Sequence, residues 1–448
     1  MYVILLSGGS GKRLWPLSND LRSKQYIKIL KDEKSGDKCS MIQRVWGQLK
    51  EEGLVDNSVI CASIAQIDSI KSQLGDVKIA KEPDRRDTFA AVALSCAYLT
   101  SKAGAKEDDA VCVIPVDPYT DQSYFKTLKT LENVLEKTKA EVVLMGANPT
   151  YPSAKYGYIL PKTNKDDCIE VKGFKEKPTE TEASALIDQG ALWNCGVFCF
   201  KLKTILNKLS HYGLSTDYKE IFNNYDKLPK ISFDYEVLEK ATQLVAVPFF
   251  GMWKDLGTWN TLTEEMESAT LGYVKEDSCE NTNIINELEV PIVAMGLKDT
   301  IVVASLDGFL VSDKHQSSYI KEVTKGYNLP PRFEERRWGS IKTLDIEQCD
   351  KVQTVTRKII LYKDMSSSYH YHNKRDEIWT IIKGKGEMII EGVLKQIQEG
   401  SVIHIQKGLR HAVKATTELE FIEIHLGEAV GDEDINRITF NWKEIERK

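Results

Sequence analysis

Short apolar runs rich in β-branched residues alternate with amphipathic stretches as far as about residue 260. The apolar runs lie at 1–6, 58–62, 110–116 and 142–147. Between them, 40–49 and 88–99 carry apolar residues at helical spacing, and Ser40 is suited to cap the first of these helices. The alternation predicts an α/β fold with a mostly parallel sheet, in which ligands bind at the carboxyl ends of the strands.

The hydrophobic pattern changes beyond this region. From 271 to 323, short β-branched runs alternate with turn residues, which predicts a compact β segment. Pro330 and Pro331 mark a linker, and the strands that follow recur with turns at a spacing typical of a small β-barrel or jelly roll. We therefore predict three parts, with boundaries at 1–268, 269–327 and 328–448.

Composition narrows the class of protein. A formal net charge of −6 and a pI near 5.8 over 448 residues argue against a nucleic-acid partner. The longest apolar stretches are too short to cross a bilayer, so no membrane partner is expected. The nine cysteines are scattered without a CxxC pair, which is typical of reduced thiols. The chain begins directly on an apolar strand, and a cytoplasmic protein is predicted.

The first apolar run opens into a loop with three glycines, whose backbone a ligand can approach without interference from Cβ atoms. These are Gly8, Gly9 and Gly11. Lys12, Arg13 and Lys24 add positive charge. The loop matches neither the dinucleotide-binding GxGxxG pattern nor the GxxxxGK[ST] P-loop. Backbone N–H groups and clustered cations nevertheless indicate a site for a polyphosphate.

Two further sets of polar residues suit phosphate and sugar chemistry. Asp117 ends a predicted buried strand and Asp255 lies between two tryptophans, so the pair could hold Mg²⁺, although each alone also suits a turn or a cap. Three polar residues flank other predicted strands and could bind a sugar phosphate: Glu176 offers a carboxylate, Lys177 a cation and Asn194 an amide. The stretch that contains Glu176 and Lys177, and the stretch that contains Asn194, would each also fit a surface turn.

The last part of the chain holds a histidine-rich pattern. His370 and His372 are two apart on a predicted strand and therefore point the same way. With Glu377 and His411 they could form a site of three histidines and one carboxylate for Zn²⁺, Fe²⁺ or Mn²⁺. The spacing resembles the cupin metal signature. The alternative interpretation is a set of solvent-exposed histidines.

Taken in order, the motifs resemble the mannose-1-phosphate guanylyltransferase family over residues 1–325. The matching stretches are 8–13, 24–25, 82–83, 86, 88, 117, 156–158, 174–178, 193–196, 234–235 and 255–257. With the cupin pattern, the whole chain is similar to the two-domain mannose-1-phosphate guanylyltransferase/mannose-6-phosphate isomerase family. The resemblance implies a Rossmann-like nucleotidyltransferase domain, a short left-handed β-helix and a C-terminal cupin barrel.

The resemblance also implies roles for individual residues. Those implied to be catalytic are Arg13, Lys24, Asp117 and Asp255, with Mg²⁺ on the two aspartates. Those implied to bind the nucleotide are Ser7, Gly8, Gly9, Ser10, Gly11, Lys12, Arg13, Glu82, Arg86 and Asp87. Those implied to bind the sugar phosphate are Tyr156, Gly157, Glu176, Lys177, Asn194 and Asp234. Those implied for the cupin are the metal ligands His370, His372, Glu377 and His411, with Zn²⁺ or another divalent metal, and Arg437 for isomerase activity.

Four positions depart from the family pattern. These are Ser23, Asp87, Pro118 and His370, where proline, asparagine, histidine and glutamine are usual. The main prediction is transfer of a nucleotidyl group from GTP to mannose 1-phosphate, with isomerase activity in the cupin and self-association into a homo-oligomer. The alternatives are a nucleotidyltransferase for another NTP and sugar, such as a heptose, with a non-catalytic cupin, and a regulatory protein that binds sugar nucleotides.

Overall fold

The computed structural model describes residues 1–9, 12–32, 34–165, 168–327 and 329–445. The chain forms two compact units. The first comprises Met1–Ser10, Ser23–Ile67 and Asp76–Glu267, and the second comprises Gly11–Arg22, Asp68–Gly75 and Ser268–Lys448. The predicted boundaries at 268 and 327 stay predictions. Among the residues that are described, no helix is long and apolar enough to cross a membrane.

Strands and helices alternate up to residue 267. The strands are β1 (Tyr2–Leu6), β2 (Leu30–Lys31), β3 (Lys38–Cys39), β4 (Ser58–Ser63), β5 (Ile79–Glu82), β6 (Ala110–Pro115), β7 (Pro118–Thr120), β8 (Val142–Ala147), β9 (Gly157–Lys165), β10 (Cys168–Glu176), β11 (Leu192–Lys201), β12 (Leu244–Phe249) and β13 (Trp253–Asp255). The helices are α1 (Met41–Glu51), α2 (Ile67–Leu74), α3 (Asp87–Ala103), α4 (Gln122–Lys137), α5 (Glu180–Asp188), α6 (Leu202–His211), α7 (Tyr218–Asn223) and α8 (Trp259–Thr263). The predicted runs therefore form the predicted types of element.

The main sheet of the first unit has the strand order β5-β4-β1-β6-β11-β8-β12-β10-β9. Strands β5, β4, β1 and β6 pair in parallel, and β8 pairs in parallel with β12. Strand β11 is antiparallel to both β6 and β8, so β8 and β12 run in the same direction as the first four. Strand β10 is antiparallel to both of its neighbours, β12 and β9. Most strands of the sheet therefore run in one direction, and the predicted α/β fold is confirmed.

Local sequence explains how helix α1 begins and which face it buries. The Ser40 side chain accepts a hydrogen bond from the Gln43 backbone N–H, and the Gln43 side chain accepts one from the Ser40 backbone N–H. This reciprocal cap satisfies two N–H groups that the first turn leaves without a partner. Val45 and Leu49, four residues apart, are both buried. The predicted cap at Ser40 is confirmed.

The second unit is rich in β-structure. Its elements are β14 (Thr270–Leu271), β15 (Val274–Asp277), β16 (Asn283–Asn286), β17 (Ile292–Met295), β18 (Thr300–Ser305), β19 (Gly308–Asp313), α9 (Ile320–Val323), β20 (Phe333–Arg336), β21 (Gly339–Cys349), β22 (Val352–Leu361), β23 (Tyr369–Tyr371), β24 (Arg375–Lys383), β25 (Lys385–Ile390), β26 (Val393–Gln398), β27 (Val402–Ile405), β28 (His411–Ala415), β29 (Leu419–Gly427), β30 (Asn436–Thr439) and α10 (Trp442–Ile445).

These strands form two kinds of sheet. Strands β14, β16 and β18 pair in parallel, as do β15 and β17, which is the pairing expected of a short β-helix. Beyond them lie a six-stranded sheet, β20-β21-β22-β29-β24-β27, and a five-stranded sheet, β26-β25-β28-β23-β30. Buried residues such as Trp379, Phe421 and Met388 come from both sheets and form a shared hydrophobic core. This is the predicted β-barrel arrangement.

Candidate functional site

The glycine loop follows β1 at an edge where two strand ends meet. Leu6 at the end of β1 pairs with Pro115 at the end of β6, as the parallel register requires. The Gln25 side chain donates to the Ser7 carbonyl at 2.6 Å, and the Ser23 hydroxyl donates to the Gly9 carbonyl at 3.1 Å. Side chains therefore fix the backbone of the loop on both sides of Gly8. Gly9 has a φ of +120°, a conformation that favours glycine.

Part of the predicted nucleotide set belongs to the second unit or falls outside the described residues. Ser10 and Gly11 fall outside the described residues. Lys12 and Arg13 form a short helical turn within the second unit, where the Lys12 ammonium lies 3.5 Å from the Asp20 carboxylate and Arg13 is exposed. The roles implied for these four residues stay predictions.

Two predicted metal ligands and one predicted catalytic lysine lie together in the first unit. Strand β13 pairs with β7 so that Asp255 lies opposite Pro118, the residue after Asp117. The Lys24 Nζ atom is 2.6 Å from Asp117 Oδ2 and 3.9 Å from Asp255 Oδ1. Residues separated by more than 200 positions in sequence thus converge on one cation.

Gly257 leaves room for the Asp255 carboxylate. A Cβ atom at Gly257 would lie 2.9 Å from Asp255 Oδ1, which is closer than real Cβ atoms approach. The absence of a side chain at Gly257 therefore allows the Asp255 carboxylate to lie against the Gly257 backbone.

The predicted sugar-phosphate residues meet at the start of β9. Glu176 on β10 pairs with Gly157 on β9, and a Cβ atom at Gly157 would lie 2.5 Å from Glu176 Oε2. Asn194 donates to Asp234 Oδ1 at 3.0 Å and accepts from the Gly196 backbone N–H at 3.0 Å, which fixes its amide orientation. Burial raises the pKa of the Asp234 carboxyl above its usual value, with Glu176 and Asp87 adding negative charge nearby.

Lys177 and Tyr156, the remaining predicted sugar-phosphate residues, are joined by a backbone hydrogen bond. The Lys177 N–H donates to the Tyr156 carbonyl at 3.2 Å, and Lys177 has a φ of 44°, in the left-handed region. Its ammonium lies 2.8 Å from the Glu176 carboxylate, and both side chains are largely exposed. The tight turn therefore places a cation and a carboxylate side by side at the rim of the site.

An aromatic cluster, which sequence reasoning missed as a unit, joins the two sets. The rings of Tyr151 and Tyr156 each lie 5.0 Å from Trp193, and Tyr156 lies 5.2 Å from Trp253. Trp193 precedes Asn194, and Trp253 lies two residues before Asp255. The indole N–H groups of both tryptophans are buried and have no hydrogen-bond partner among the described residues. A tryptophan next to each polar motif was the available sequence signal.

Glu82 is a buried acidic member of the predicted nucleotide set. It is 5% exposed, and its carboxylate accepts a hydrogen bond of 2.7 Å from the Tyr225 hydroxyl. Burial raises the pKa of the Glu82 carboxyl. Its Oε2 atom lies 3.8 Å from the Cβ position of Gly8, so this carboxylate is beside the glycine loop.

Arg86 and Asp87 follow Glu82 at the start of α3. The Arg86 guanidinium donates to the Leu228 carbonyl at 2.9 Å. Asp87 has a φ of 65°, in the left-handed region that aspartate and asparagine tolerate better than most residues. Its carboxylate accepts from the Thr88 N–H at 2.8 Å. This backbone geometry explains why a short acidic residue suits the position.

The four predicted cupin ligands converge inside the barrel of the second unit. The ring centroids of His370 and His411 are 4.4 Å apart, and His372 lies 4.9 and 5.3 Å from them. The ligand atoms of the three histidines all lie within 4.8 Å of one another. Glu377 Oε1 is 2.9 Å from His372 Nε2, and Glu377 Oε2 is 3.4 Å from His411 Nε2.

Backbone carbonyls orient each of these rings. The Nδ1 atoms of His370, His372 and His411 lie 2.7, 3.1 and 3.0 Å from the carbonyl oxygens of Ser368, Asp434 and Leu409. A carbonyl only accepts, so each Nδ1 donates and each Nε2 carries a lone pair toward the centre. Burial, and secondarily the neighbouring His411, lowers the pKa of His370 to about 3, which keeps that ring neutral. Imidazoles that direct their Nε2 lone pairs toward one centre fit a divalent metal.

Other polar groups surround these four. Buried Arg375 donates to Glu377 Oε1 at 3.0 Å. His425, which was not among the predicted ligands, lies 3.3 Å from the same oxygen. Burial alone would raise the pKa of Glu377, but the imidazoles packed against its carboxylate, those of His372, His411 and His425, lower it well below its usual value. Arg437 is exposed on β30, where it pairs with His370.

Comparisons with known proteins match the two sets of site residues to two different family models. Residues 2–271 match the family model described as nucleotidyl transferase, and residues 332–440 match the model described as mannose-6-phosphate isomerase C-terminal. A mannose-1-phosphate guanylyltransferase of Salmonella montevideo is 28% identical, over 97% of this chain and 98% of its own length. One from Escherichia coli K12 is 27% identical, over 99% of both chains. A solved structure from Thermus thermophilus, described as a mannose-1-phosphate geranyltransferase, has a TM-score of 0.61 at 27% identity and covers 73% of this chain and 99% of that chain.

Proposed function

Because the chain belongs to the nucleotidyl transferase family, we propose that it transfers the guanylyl group of GTP to mannose 1-phosphate. The protein is a sugar-1-phosphate nucleotidyltransferase, and the products of the proposed reaction are GDP-mannose and pyrophosphate. The observation that carries the proposal is the convergence of Lys24, Asp117 and Asp255 beside the glycine loop. An ammonium at a strand end can offset the charge of a polyphosphate, and the two carboxylates beside it can hold a divalent ion that does the same.

The two aspartates fit Mg²⁺. Mg²⁺ prefers oxygen ligands and usually takes one or two carboxylates together with substrate phosphates. The Lys24 ammonium, within 3.9 Å of both carboxylates, stands where a cation is electrostatically favoured. We propose that Asp117 and Asp255 hold Mg²⁺ together with the triphosphate. The bound ion would supply charge neutralisation on the phosphates.

The residues of the first unit then have distinct tasks. An oxygen of the sugar phosphate attacks the α-phosphorus of the nucleotide, a new P–O bond forms, and the bond to the β-phosphate oxygen breaks. Pyrophosphate leaves with that electron pair, and no proton has to be removed from the attacking phosphate. Lys24 would offset the charge on the reacting phosphates while the loop at Ser7, Gly8 and Gly9 positions them. Catalysis is therefore positioning and charge neutralisation.

Buried Glu82 supports guanine as the base. A guanine edge presents an N1–H and an amino group, and a carboxylate can accept both hydrogen bonds. The Tyr225 hydroxyl already occupies one Glu82 oxygen, while Oε2 faces the Gly8 position. Adenine lacks that pair of donors, so a carboxylate here favours GTP over ATP.

Glu82→Gln is expected to lower kcat/KM for GTP about 100-fold, because the amide presents a donor where guanine needs an acceptor. Thermal stability at pH 8 is expected to rise. The folded-state pKa of Glu82 is raised, so its ionised form opposes folding above that pKa, and the neutral amide removes this effect. Steady-state kinetics and thermal unfolding test both parts, with exposed Glu239→Gln as the control. Unchanged GTP kinetics would contradict the assignment of Glu82.

Gly157→Ala is expected to raise the KM for mannose 1-phosphate about tenfold and to leave the KM for GTP unchanged. The new Cβ atom would lie 2.5 Å from Glu176 Oε2 and displace that carboxylate from the sugar site. Gly173→Ala is a matched control on the paired strand, since a Cβ atom there meets nothing within 4 Å. Equal sugar-phosphate kinetics for the two variants would argue against a sugar role for Glu176.

Pyrophosphate release tests the proposed substrates. The full chain with Mg²⁺ would be assayed with each common NTP paired with mannose, glucose and heptose 1-phosphates. Turnover confined to GTP and mannose 1-phosphate supports the proposal. Turnover with another pair would support the same reaction with different substrates, and Asp87 and Pro118 would be the residues to test for the changed specificity. No turnover with any pair would favour the regulatory alternative.

A second activity is supported by the cupin centre. We propose that His370, His372, Glu377 and His411 hold Zn²⁺ or another divalent metal. We also propose that this domain interconverts mannose 6-phosphate and fructose 6-phosphate, with Arg437 near the substrate. The convergence of three oriented imidazoles and a carboxylate supports this proposal. Isomerase activity that survives complete metal removal, or metal content unchanged in His372→Ala, would contradict it.

The cellular setting is also proposed. The cysteines described in the structure carry free thiols, which suits the reducing cytoplasm. We place the enzyme there as a homo-oligomer, and light scattering of the purified chain tests the second part.

A further inference from the structure

The barrel interior holds more ligating groups than the proposed cupin centre uses. Strands β24 and β29 pair so that Glu377 lies opposite His425 and Trp379 lies opposite Glu423. Residues two apart on a strand share a face, so Glu423 and His425 face the side that Glu377 faces. The His425 side chain is 1% exposed, and that of Glu423 is 12% exposed.

The spacing of these atoms is that of ligands around one ion. His425 Nε2 lies 3.0 Å from Glu423 Oε2 and 3.3 Å from Glu377 Oε1. The ligand atoms of Glu377, Glu423 and His425 all lie within 4.8 Å of one another. Ligands of a tetrahedral ion with bonds of about 2.0–2.2 Å are about 3.3–3.6 Å apart.

The His425 ring is oriented as a metal ligand is. Its Nδ1 lies 3.2 Å from the Val430 carbonyl and therefore donates to it, which leaves the lone pair on Nε2. Nε2 has no hydrogen-bond partner among the described residues, although two carboxylate oxygens lie within 3.3 Å. A buried nitrogen that faces carboxylates outside hydrogen-bonding geometry needs another explanation.

We propose that Glu423 and His425, sharing Glu377 with the cupin centre, bind a second divalent transition-metal ion. The inference rests on the proposed first position at His370, His372 and His411. Glu377 suits a bridging role because its carboxylate contacts histidines of both positions: Oε2 lies 3.4 Å from His411 Nε2, and Oε1 lies 2.9 Å from His372 Nε2 and 3.3 Å from His425 Nε2. One imidazole and two carboxylates suit Mn²⁺, Fe²⁺ or Zn²⁺.

The number of protein ligands sets the order of binding. The Arg375 guanidinium lies 3.0 Å from Glu377 Oε1 and 3.4 Å from His372 Nε2, so its positive charge is beside both positions. The first position has three imidazoles and the bridging carboxylate, whereas the second has one imidazole and two carboxylates. The second ion therefore binds more weakly than the first.

Counting bound Mn²⁺ tests the proposal. The full chain carrying Asp255→Asn, which removes the proposed nucleotidyltransferase metal site, would be stripped with EDTA and dialysed against Mn²⁺ without nucleotide. We expect two ions per chain and an exchange-coupled EPR spectrum, because bridged ions lie about 3.5–4 Å apart. His425→Gln is expected to retain one ion with an uncoupled six-line spectrum, and Glu423→Gln is expected to behave likewise.

Two controls separate the outcomes. His404→Gln changes an exposed histidine of the same domain, which lies 3.4 Å from Asp376, and is expected to leave two ions. His411→Gln is expected to lose the tighter ion, and a parent that binds no Mn²⁺ would contradict the proposed first position itself. A parent that binds one ion would overturn the second position. So would a His425→Gln variant that has an unchanged circular dichroism spectrum and binds either two ions or none.

Discussion

Asp255→Asn is expected to lower the rate of pyrophosphate release from GTP and mannose 1-phosphate about 1,000-fold, or by about 4 kcal/mol of transition-state stabilisation. Asp117→Asn is expected to have an effect of the same order. Each substitution removes one of two negative charges from a site that must hold a divalent ion against a triphosphate. The loss is expected in kcat, since the charge on the phosphates changes as the bonds to phosphorus change.

The measurement is steady-state pyrophosphate release over a range of Mg²⁺ concentrations, with thermal unfolding to show that the variants fold. Asp56→Asn makes the same chemical change on the exposed short helical turn after α1 and is expected to retain the parent rate. An Asp255→Asn variant with the parent's turnover would overturn the metal assignment. A variant restored by high Mg²⁺ alone would show that Asp255 acts in binding the ion only.

Glu377→Gln is expected to give the largest loss of stability. The carboxylate is 1% exposed and accepts hydrogen bonds from Arg375 at 3.0 Å and from the Trp379 indole at 3.2 Å. The amide would leave the buried Arg375 guanidinium without its counter-charge, at a cost of about 3–5 kcal/mol. For a unit of this size the metal-free transition temperature should fall by about 10 °C.

Scanning calorimetry of EDTA-treated full-length protein measures this effect apart from the loss of metal. Exposed Glu418→Gln, whose parent carboxylate lies 3.5 Å from the Lys383 ammonium, is the matched control and should change the transition by little. A Glu377→Gln transition equal to that of the control would contradict the interpretation of Glu377 as the charge that keeps Arg375 buried.

Local features of both units could be predicted from sequence. The strand ends at Leu6 and Pro115 and the cap at Ser40 depend on neighbouring residues, so periodicity was sufficient. His370 and His372 share a face because strands have a period of two. These features need no knowledge of distant contacts.

Features that depend on pairing between distant segments could not be predicted. His425 meets Glu377 only because β24 pairs with β29 in one register, and a shift by one residue would turn His425 to the other face. The aromatic cluster likewise needs Trp193 and Trp253 to be brought together by separate strands. Local spacing carries no signal for the contact of His425 with Glu377, and for the cluster it shows only that each tryptophan lies near a polar motif.

The position of Lys24 has a kinetic consequence. While its ammonium lies 2.6 Å from Asp117, the two carboxylates already have a counter-ion, so free enzyme has little affinity for Mg²⁺ by itself. A triphosphate would draw the ammonium toward its own oxygens and free the carboxylates. The ion should therefore enter with the nucleotide, initial rates should follow the concentration of the Mg²⁺–GTP complex, and free GTP should act as a competitive inhibitor.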